Sequence, residues 1–164
     1  MNKTKTIILR TLFTILLLIT FITIFRFSSQ DSEISGGVST KAMTNIINIL
    51  PIENSKKPEV IKQCEPILRK IAHFTVYTCV GIWSCALLST YKIKEGQKII
   101  YSGTIGFIYA CTDEFHQSLT PGRGPSFMDV LLDTTGVLFG CLLVLLIIKI
   151  YYRIKKNSPQ NTLK

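Results

Sequence analysis

Residues 7–25 read IILRTLFTILLLITFITIF and residues 130–152 read VLLDTTGVLFGCLLVLLIIKIYY, and these two apolar runs decide the fold. A helix needs about 20 mostly apolar residues to cross the hydrocarbon of a bilayer, and both runs meet that length. Two further runs, at about 71–90 and 99–115, are nearly as long but carry polar residues at one end. We therefore predict an all-α integral membrane four-helix bundle, with a single transmembrane domain over residues 1–152 and a basic tail over 153–164.

The first run could also be the apolar part of a cleaved signal peptide, because basic residues precede it. Phe25, Arg26 and Phe27 follow it, however, where a cleavage site needs small residues. We therefore expect a retained spanning helix.

The composition excludes several classes of protein. Hydrophobic residues make up 47% of the chain, and the net charge is +9. The basic residues flank apolar runs instead of interleaving with aromatic ones, which favours lipid headgroups over nucleic acid as the partner. The five cysteines form no CxxC pair and four of them lie inside apolar runs, so we predict no disulfide, no metal site of the zinc type and no cofactor.

The distribution of basic residues sets the expected orientation. With four crossings, three basic segments share one side of the membrane, and the only acidic residue in them is Glu95. Because loops rich in lysine and arginine stay inside, we predict that both termini are cytoplasmic. The basic residues of these segments are Lys3, Lys5, Arg10, Lys92, Lys94, Lys98, Lys149, Arg153, Lys155, Lys156 and Lys164.

The long extracytoplasmic loop between the first two spanning helices, about 26–70, contains a further helical pattern. Apolar residues recur at helical spacing, and they are Val38, Ala42, Met43, Ile46, Ile49 and Leu50. Ser39 is a candidate N-cap and Pro51 a stop signal, which predicts an amphipathic helix. It would lie on the outer membrane surface or pack over the mouth of the bundle. Pro66 is placed to begin the second spanning helix, which would leave Cys64 in the polar loop.

Polar residues accumulate where the four predicted helices meet the outer face. Arg69, His73 and Tyr77 are four residues apart, so they share one face of the second helix. Interfacial anchoring or a structural ion pair are the alternatives to a functional site. The other polar residues at this face are Ser28, Ser29 and Gln30 after the first helix, Lys70 in the second, and Asp113, Glu114, His116 and Gln117 ending the third.

The start of the fourth helix adds a turn and two acidic residues. Arg123 lies in the turn Pro121-Gly122-Arg123-Gly124-Pro125, and its guanidinium suits a phosphate or carboxylate. Ser126 is the expected N-cap, with Asp129 in the first turn. Asp133 lies on the face that continues through Gly136 and Gly140, a small-residue pair typical of close helix packing, so Asp133 should face protein.

At these residues the chain resembles the VanZ-like membrane protein family. The resemblance covers about 27–140 and lies in Phe27-Ser28-Ser29-Gln30, Arg69-Lys70-Ile71-Ala72-His73-Phe74, Asp113-Glu114-Phe115-His116-Gln117, Pro121-Gly122-Arg123 and Asp129-Val130-Leu131-Leu132-Asp133-Thr134-Thr135-Gly136. The chain departs from the family at Val76, where an acidic residue is frequent, and at Asp133, where asparagine is frequent. The resemblance implies a bacterial cell-envelope protein associated with resistance to teicoplanin and related lipoglycopeptides.

Three hypotheses of function follow. In the first, the outer face binds or modifies a lipid-linked or amphiphilic ligand, an envelope precursor or a lipoglycopeptide, and lowers susceptibility to teicoplanin-type antibiotics. Its ligand-binding candidates are Gln30, Arg69, Lys70, His73, Asp113, Glu114, Gln117, Arg123, Asp129 and Asp133.

In the second hypothesis, the protein is a membrane hydrolase or transferase acting on a lipid-linked envelope intermediate. The catalytic candidates His73, Asp113, Glu114 and His116 would hold a divalent cation or act as acid and base, with Ser28 or Ser29 as nucleophile. The third is a small proton-coupled exporter that works as a homodimer.

Overall fold

The computed structural model describes residues 2–29, 32–51, 53–119 and 124–157, and those ranges contain five α-helices and no strand. In chain order they are α1 (Lys3–Ser28), α2 (Ser32–Ile49), α3 (Lys57–Leu88), α4 (Glu95–Ser118) and α5 (Phe127–Lys156). The predicted all-α class is confirmed.

Three of the described helices, α1, α3 and α5, are long and apolar enough to cross a membrane. Helix α4 contains the third predicted crossing, 99–115, but it is not among these three because polar residues interrupt it. Large apolar side chains such as Ile22, Phe139 and Ile147 lie exposed on the outside of the helices. A soluble protein rarely exposes so extensive an apolar surface, so the chain is a membrane protein.

Helix α3 begins 14 residues earlier than the predicted start at about 71. Pro58 occupies its first turn, and Pro66, predicted to begin the helix, lies inside it. Cys64, predicted in a loop, is a half-buried residue of this helix. A proline inside a helix costs roughly 3 kcal/mol, because the carbonyl four residues earlier loses its donor. Packing against α2 accompanies the extension and contributes favourable contacts that act against this cost.

Helix α2 lies in the loop where a helix was predicted, but it begins at Ser32, so the prediction of Ser39 as its N-cap was wrong. Its end at Ile49, just before Pro51, agrees with the predicted stop. Met43 and Ile47 are buried, and the Thr40 hydroxyl donates to Glu65 Oε2 of α3 at 3.2 Å. Helix α2 thus packs on the N-terminal part of α3, while its contact with a membrane surface stays a prediction.

The other four helices alternate in direction. Near the start of α1, Arg10 donates to the Thr90 side chain and carbonyl at 3.1 Å, just beyond the end of α3. At the opposite end, Ser28 of α1 lies 3.4 Å from the His116 ring nitrogen of α4. Helices α1 and α4 therefore run one way and α3 and α5 the other. We call the end with Arg10 the basic end and the end with Ser28 the polar end.

Close packing of α3 against α5 brings the polar side chains of these two helices together. A Cβ at Gly136 would lie 2.7 Å from the Phe74 carbonyl oxygen, and one at Gly140 would overlap the Thr78 carbonyl. Helix α3 has a glycine of the same kind, because a Cβ at Gly81 would overlap the Val137 carbonyl of α5. The predicted small-residue contact is therefore confirmed, and it fixes the register in which α5 meets α3.

Candidate functional site

A polar cleft of about 240 Å³ opens at the polar end between α3, α4 and α5. The structure brings seven of the ten predicted ligand-binding residues into its lining: Arg69, Lys70 and His73 from α3, Glu114 and Gln117 from α4, and Asp129 and Asp133 from α5. Gln30 and Arg123 lie outside the described residues. We call this cavity, with the described residues that line it, the cleft.

Helix α3 supplies the cations of the cleft from one face. Arg69 is half-buried, and no described residue forms an ion pair or hydrogen bond with its guanidinium. Lys70 Nζ lies 3.7 Å from Asp129 Oδ1, but Lys70 is largely exposed and Asp129 partly so, and such a pair contributes little stability. Within the described part of the chain, Arg69 is thus a cation of the cleft that is available to an anionic ligand.

Helix α4 supplies two carboxylates with different partners. Gln117 Nε2 donates to Asp113 Oδ2 at 2.9 Å, as expected for residues four apart on one face. Glu114 Oε2 accepts the Ser126 backbone N–H at 2.8 Å, which joins the end of α4 to the start of α5. Glu114 therefore has a structural partner as well as a position in the cleft.

Helix α5 begins as the sequence predicts. The Ser126 hydroxyl accepts the Asp129 backbone N–H at 3.3 Å, so Ser126 is the N-cap. One turn deeper, Asp133 is fully buried, and neither of its carboxylate oxygens has a hydrogen-bond partner among the described residues. The basic side chain paired with it among the described residues is His73, whose Nδ1 lies 3.8 Å from Oδ2, beyond hydrogen-bond reach.

His73, Asp113 and Asp133 converge from three helices behind the cleft. Each offers one ligand-type atom, and these atoms lie within 4.8 Å of one another. Both aspartates are buried, and the buried Tyr77 hydroxyl lies beside Asp113. We call these three residues the His-Asp-Asp cluster.

His116, the remaining catalytic candidate, lies apart from the cleft lining and faces α1. Its ring packs 4.6 Å from the Phe25 ring, and its Nδ1 is 3.4 Å from the buried Ser28 hydroxyl. A serine beside a histidine is a possible nucleophile and base, but the pair does not line the cleft.

Two lining residues, Pro66 and Leu132, were not among the sequence candidates. Pro66 lies three residues before Arg69, on the same face of a continuous helix. Its role could have been found only by extending α3 backward through the proline. Leu132 has no polar group that could have marked it.

Fold and site together define a helical membrane protein with a charged cleft at one end of its packed helices. The chain belongs to the VanZ/LLP1 family, whose model matches residues 13–149. The match confirms the resemblance and includes the described lining of the cleft and the His-Asp-Asp cluster. Neither the curated proteins nor the solved structures contain a match to this chain.

Proposed function

We propose that the protein crosses the bacterial cell membrane four times, with both termini cytoplasmic and the cleft open at the outer face. Because α3 and α5 run in the same direction, the chain must return from the basic end to the polar end between them. Helix α4 provides this return, and its 24 residues span about 36 Å, enough for the hydrocarbon thickness. The predicted cytoplasmic segments adjoin the basic end, in agreement with the positive-inside rule.

Within this arrangement, the cleft binds the anionic head of a lipid-linked or amphiphilic ligand. The observation that carries this proposal is the half-buried Arg69 guanidinium, which lines the cleft without a described partner. An arginine fork suits the oxygens of a phosphate or carboxylate. A volume of about 240 Å³ is below the range of about 300–1,000 Å³ that is usual for whole drug-sized ligands. The cleft therefore suits a headgroup whose apolar part stays in the bilayer.

In the cell, binding or modification of such a ligand lowers susceptibility to teicoplanin-type lipoglycopeptides. Support comes from the VanZ/LLP1 family membership and from the amphiphilic nature of these antibiotics and of the envelope precursors they encounter. The lipid tail of a lipoglycopeptide would place its polar part at the depth of the cleft.

The test is expression in a susceptible Gram-positive host, with teicoplanin and vancomycin inhibitory concentrations measured for the wild type, Arg69→Gln and Lys62→Gln. Lys62 is an exposed cation of α3 that does not line the cleft, so it is the matched control. We expect the wild type and Lys62→Gln each to raise the inhibitory concentration of teicoplanin at least fourfold. A fourfold change in a binding constant corresponds to roughly 0.8 kcal/mol of binding free energy. Arg69→Gln should abolish the effect at equal membrane accumulation.

Two results would contradict the proposal. Unchanged susceptibility with the wild type would remove the role in resistance. Full protection by Arg69→Gln would remove the cleft as the site.

A membrane hydrolase or transferase is the second candidate function. The observation that favours it is the convergence of His73, Asp113 and Asp133 beside the cleft, since a half-buried imidazole and two buried carboxyl groups can move protons or hold a cation. Product release from a radiolabelled lipid-linked precursor incubated with the purified protein would distinguish this candidate from binding alone.

A further inference from the structure

The His-Asp-Asp cluster contains two buried carboxyl groups with few described positive groups to balance a negative charge on them. Asp133 is fully buried, neither of its carboxylate oxygens accepts a hydrogen bond from a described residue, and Asp113 beside it is 5% exposed. No described lysine or arginine forms an ion pair with either aspartate. Even a protonated His73 would balance only one of the two carboxylates. Burying an uncompensated carboxylate is costly, so this arrangement favours either a bound proton or a further positive group at the cluster.

The distances within the cluster are close to those between the ligands of one metal ion. His73 Nδ1 and Asp133 Oδ2 are 3.8 Å apart, which is too far for a hydrogen bond. Two atoms bound to a common cation at about 2.1 Å lie roughly 3.4 Å apart in a tetrahedral site and at most about 4.2 Å apart. The third ligand atom, on Asp113, lies within 4.8 Å of the other two, so small side-chain rotations would close the set on a cation.

The geometry points to a divalent metal site formed by His73, Asp113 and Asp133. One imidazole nitrogen with two carboxylate oxygens suits a transition-series cation such as Zn²⁺ or Mn²⁺. Mg²⁺ and Ca²⁺ favour sets of oxygen ligands alone. Gln117 donates a hydrogen bond of 2.9 Å to Asp113 and so orients this ligand without itself contacting the cation.

Three protein ligands leave open coordination positions, and these face the cleft because His73 and Asp133 belong to its lining. The site would therefore present a cation to an oxygen atom of whatever occupies the cleft. The proposed metal site does not depend on a lipid ligand or on antibiotic resistance. Metal binding can be measured on the isolated protein.

The experiment uses the full chain purified in detergent with a tag that contains no histidine, stripped with EDTA and dialysed. Calorimetric titration with Zn²⁺ and with Mn²⁺ should show one ion per chain for at least one of them, with a Kd below about 10 μM. Co²⁺ should give visible ligand-field bands without a thiolate charge-transfer band, which separates this site from the five cysteines.

Three variants locate the site. Asp133→Asn and His73→Gln should each weaken binding at least about 100-fold, since loss of an outer-layer partner alone costs about 10- to 100-fold. Glu95→Gln, a change at an exposed acidic residue at the start of α4 and outside the cleft, should bind like the wild type. A monodisperse elution profile and helical circular dichroism show which variants are folded.

Several outcomes would overturn the site. They are a wild type that binds neither ion with a Kd below about 10 μM, a folded Asp133→Asn that binds as tightly as the wild type, and a loss of binding in Glu95→Gln. Tighter binding of Ca²⁺ than of Zn²⁺ or Mn²⁺ would contradict the class of cation. None of these measurements involves the antibiotic phenotype, so failure of the proposed function would leave them unaffected.

Discussion

At the scale of single residues, similar side chains at the polar end have different surroundings. Asp129 is partly exposed near Lys70, Glu114 accepts a backbone N–H, and Asp113 accepts the Gln117 amide. Asp133 alone among these carboxylates is fully buried without a hydrogen bond from a described residue. It is also the position at which the resemblance leads us to expect asparagine more often than aspartate. The buried carboxyl group of Asp133 is therefore the feature of the site that most needs a functional reason.

We expect Asp133→Asn to change stability in opposite directions with and without metal. In EDTA the free energy of unfolding of the variant should exceed that of the wild type by about 1–3 kcal/mol, because a buried uncompensated charge is removed. The variant should therefore unfold at a higher temperature. With Zn²⁺ at about 100 times its Kd, the wild type should gain about 2.7 kcal/mol and the variant nothing. Thermal unfolding in detergent measures both effects. A variant less stable than the wild type in EDTA would show that the charge already has a stabilising partner.

At the scale of helices, the apolar runs predicted the four long elements, and the start of α3 was the largest error. A long apolar run identifies the part of a helix that can face lipid, but the first 14 residues of α3 contain six charged residues together with Pro58 and Pro66. Their helical structure accompanies contacts with α2, which local sequence does not encode. The N-cap at Ser126 and the Gly136–Gly140 contact depend on local or short-range patterns, and both were predicted.

We expect Gly140→Ala to destabilise the protein strongly, because the new methyl group would overlap the Thr78 carbonyl of α3. Separating two packed backbones should cost about 2 kcal/mol or more and lower membrane accumulation. Gly96→Ala in α4 is the matched control, since nothing lies within 4 Å of its Cβ position. It should be neutral or slightly stabilising, because alanine favours a helix. Equal thermal stability of the two variants would mean that α3 and α5 are not packed at this distance.

At the scale of the whole molecule, alternation of helix direction brings distant residues to one end. Hydropathy and charge predicted this convergence, because four crossings in turn place the starts of α3 and α5 beside the ends of α1 and α4. The sequence did not predict which polar residues would meet. Asp133 joins His73 and Asp113 in the cluster, while Glu114 contacts Ser126 and His116 faces α1. Which residues meet depends on how each helix is rotated about its own axis. That rotation is set by contacts among helices far apart in sequence.

The most direct measurement of the central claim, a charged cleft at the outer end of the molecule, is labelling by a membrane-impermeant maleimide in intact cells. It uses two single-cysteine variants, Lys70→Cys and Tyr91→Cys, in a background with the five native cysteines changed to serine or alanine. The Lys70 side chain is 62% exposed at the cleft, and Tyr91 is 46% exposed at the basic end. We expect Lys70→Cys to be labelled in intact cells and Tyr91→Cys only after lysis. Labelling of Tyr91→Cys in intact cells, with Lys70→Cys protected until lysis, would place the cleft on the cytoplasmic side and contradict the claim.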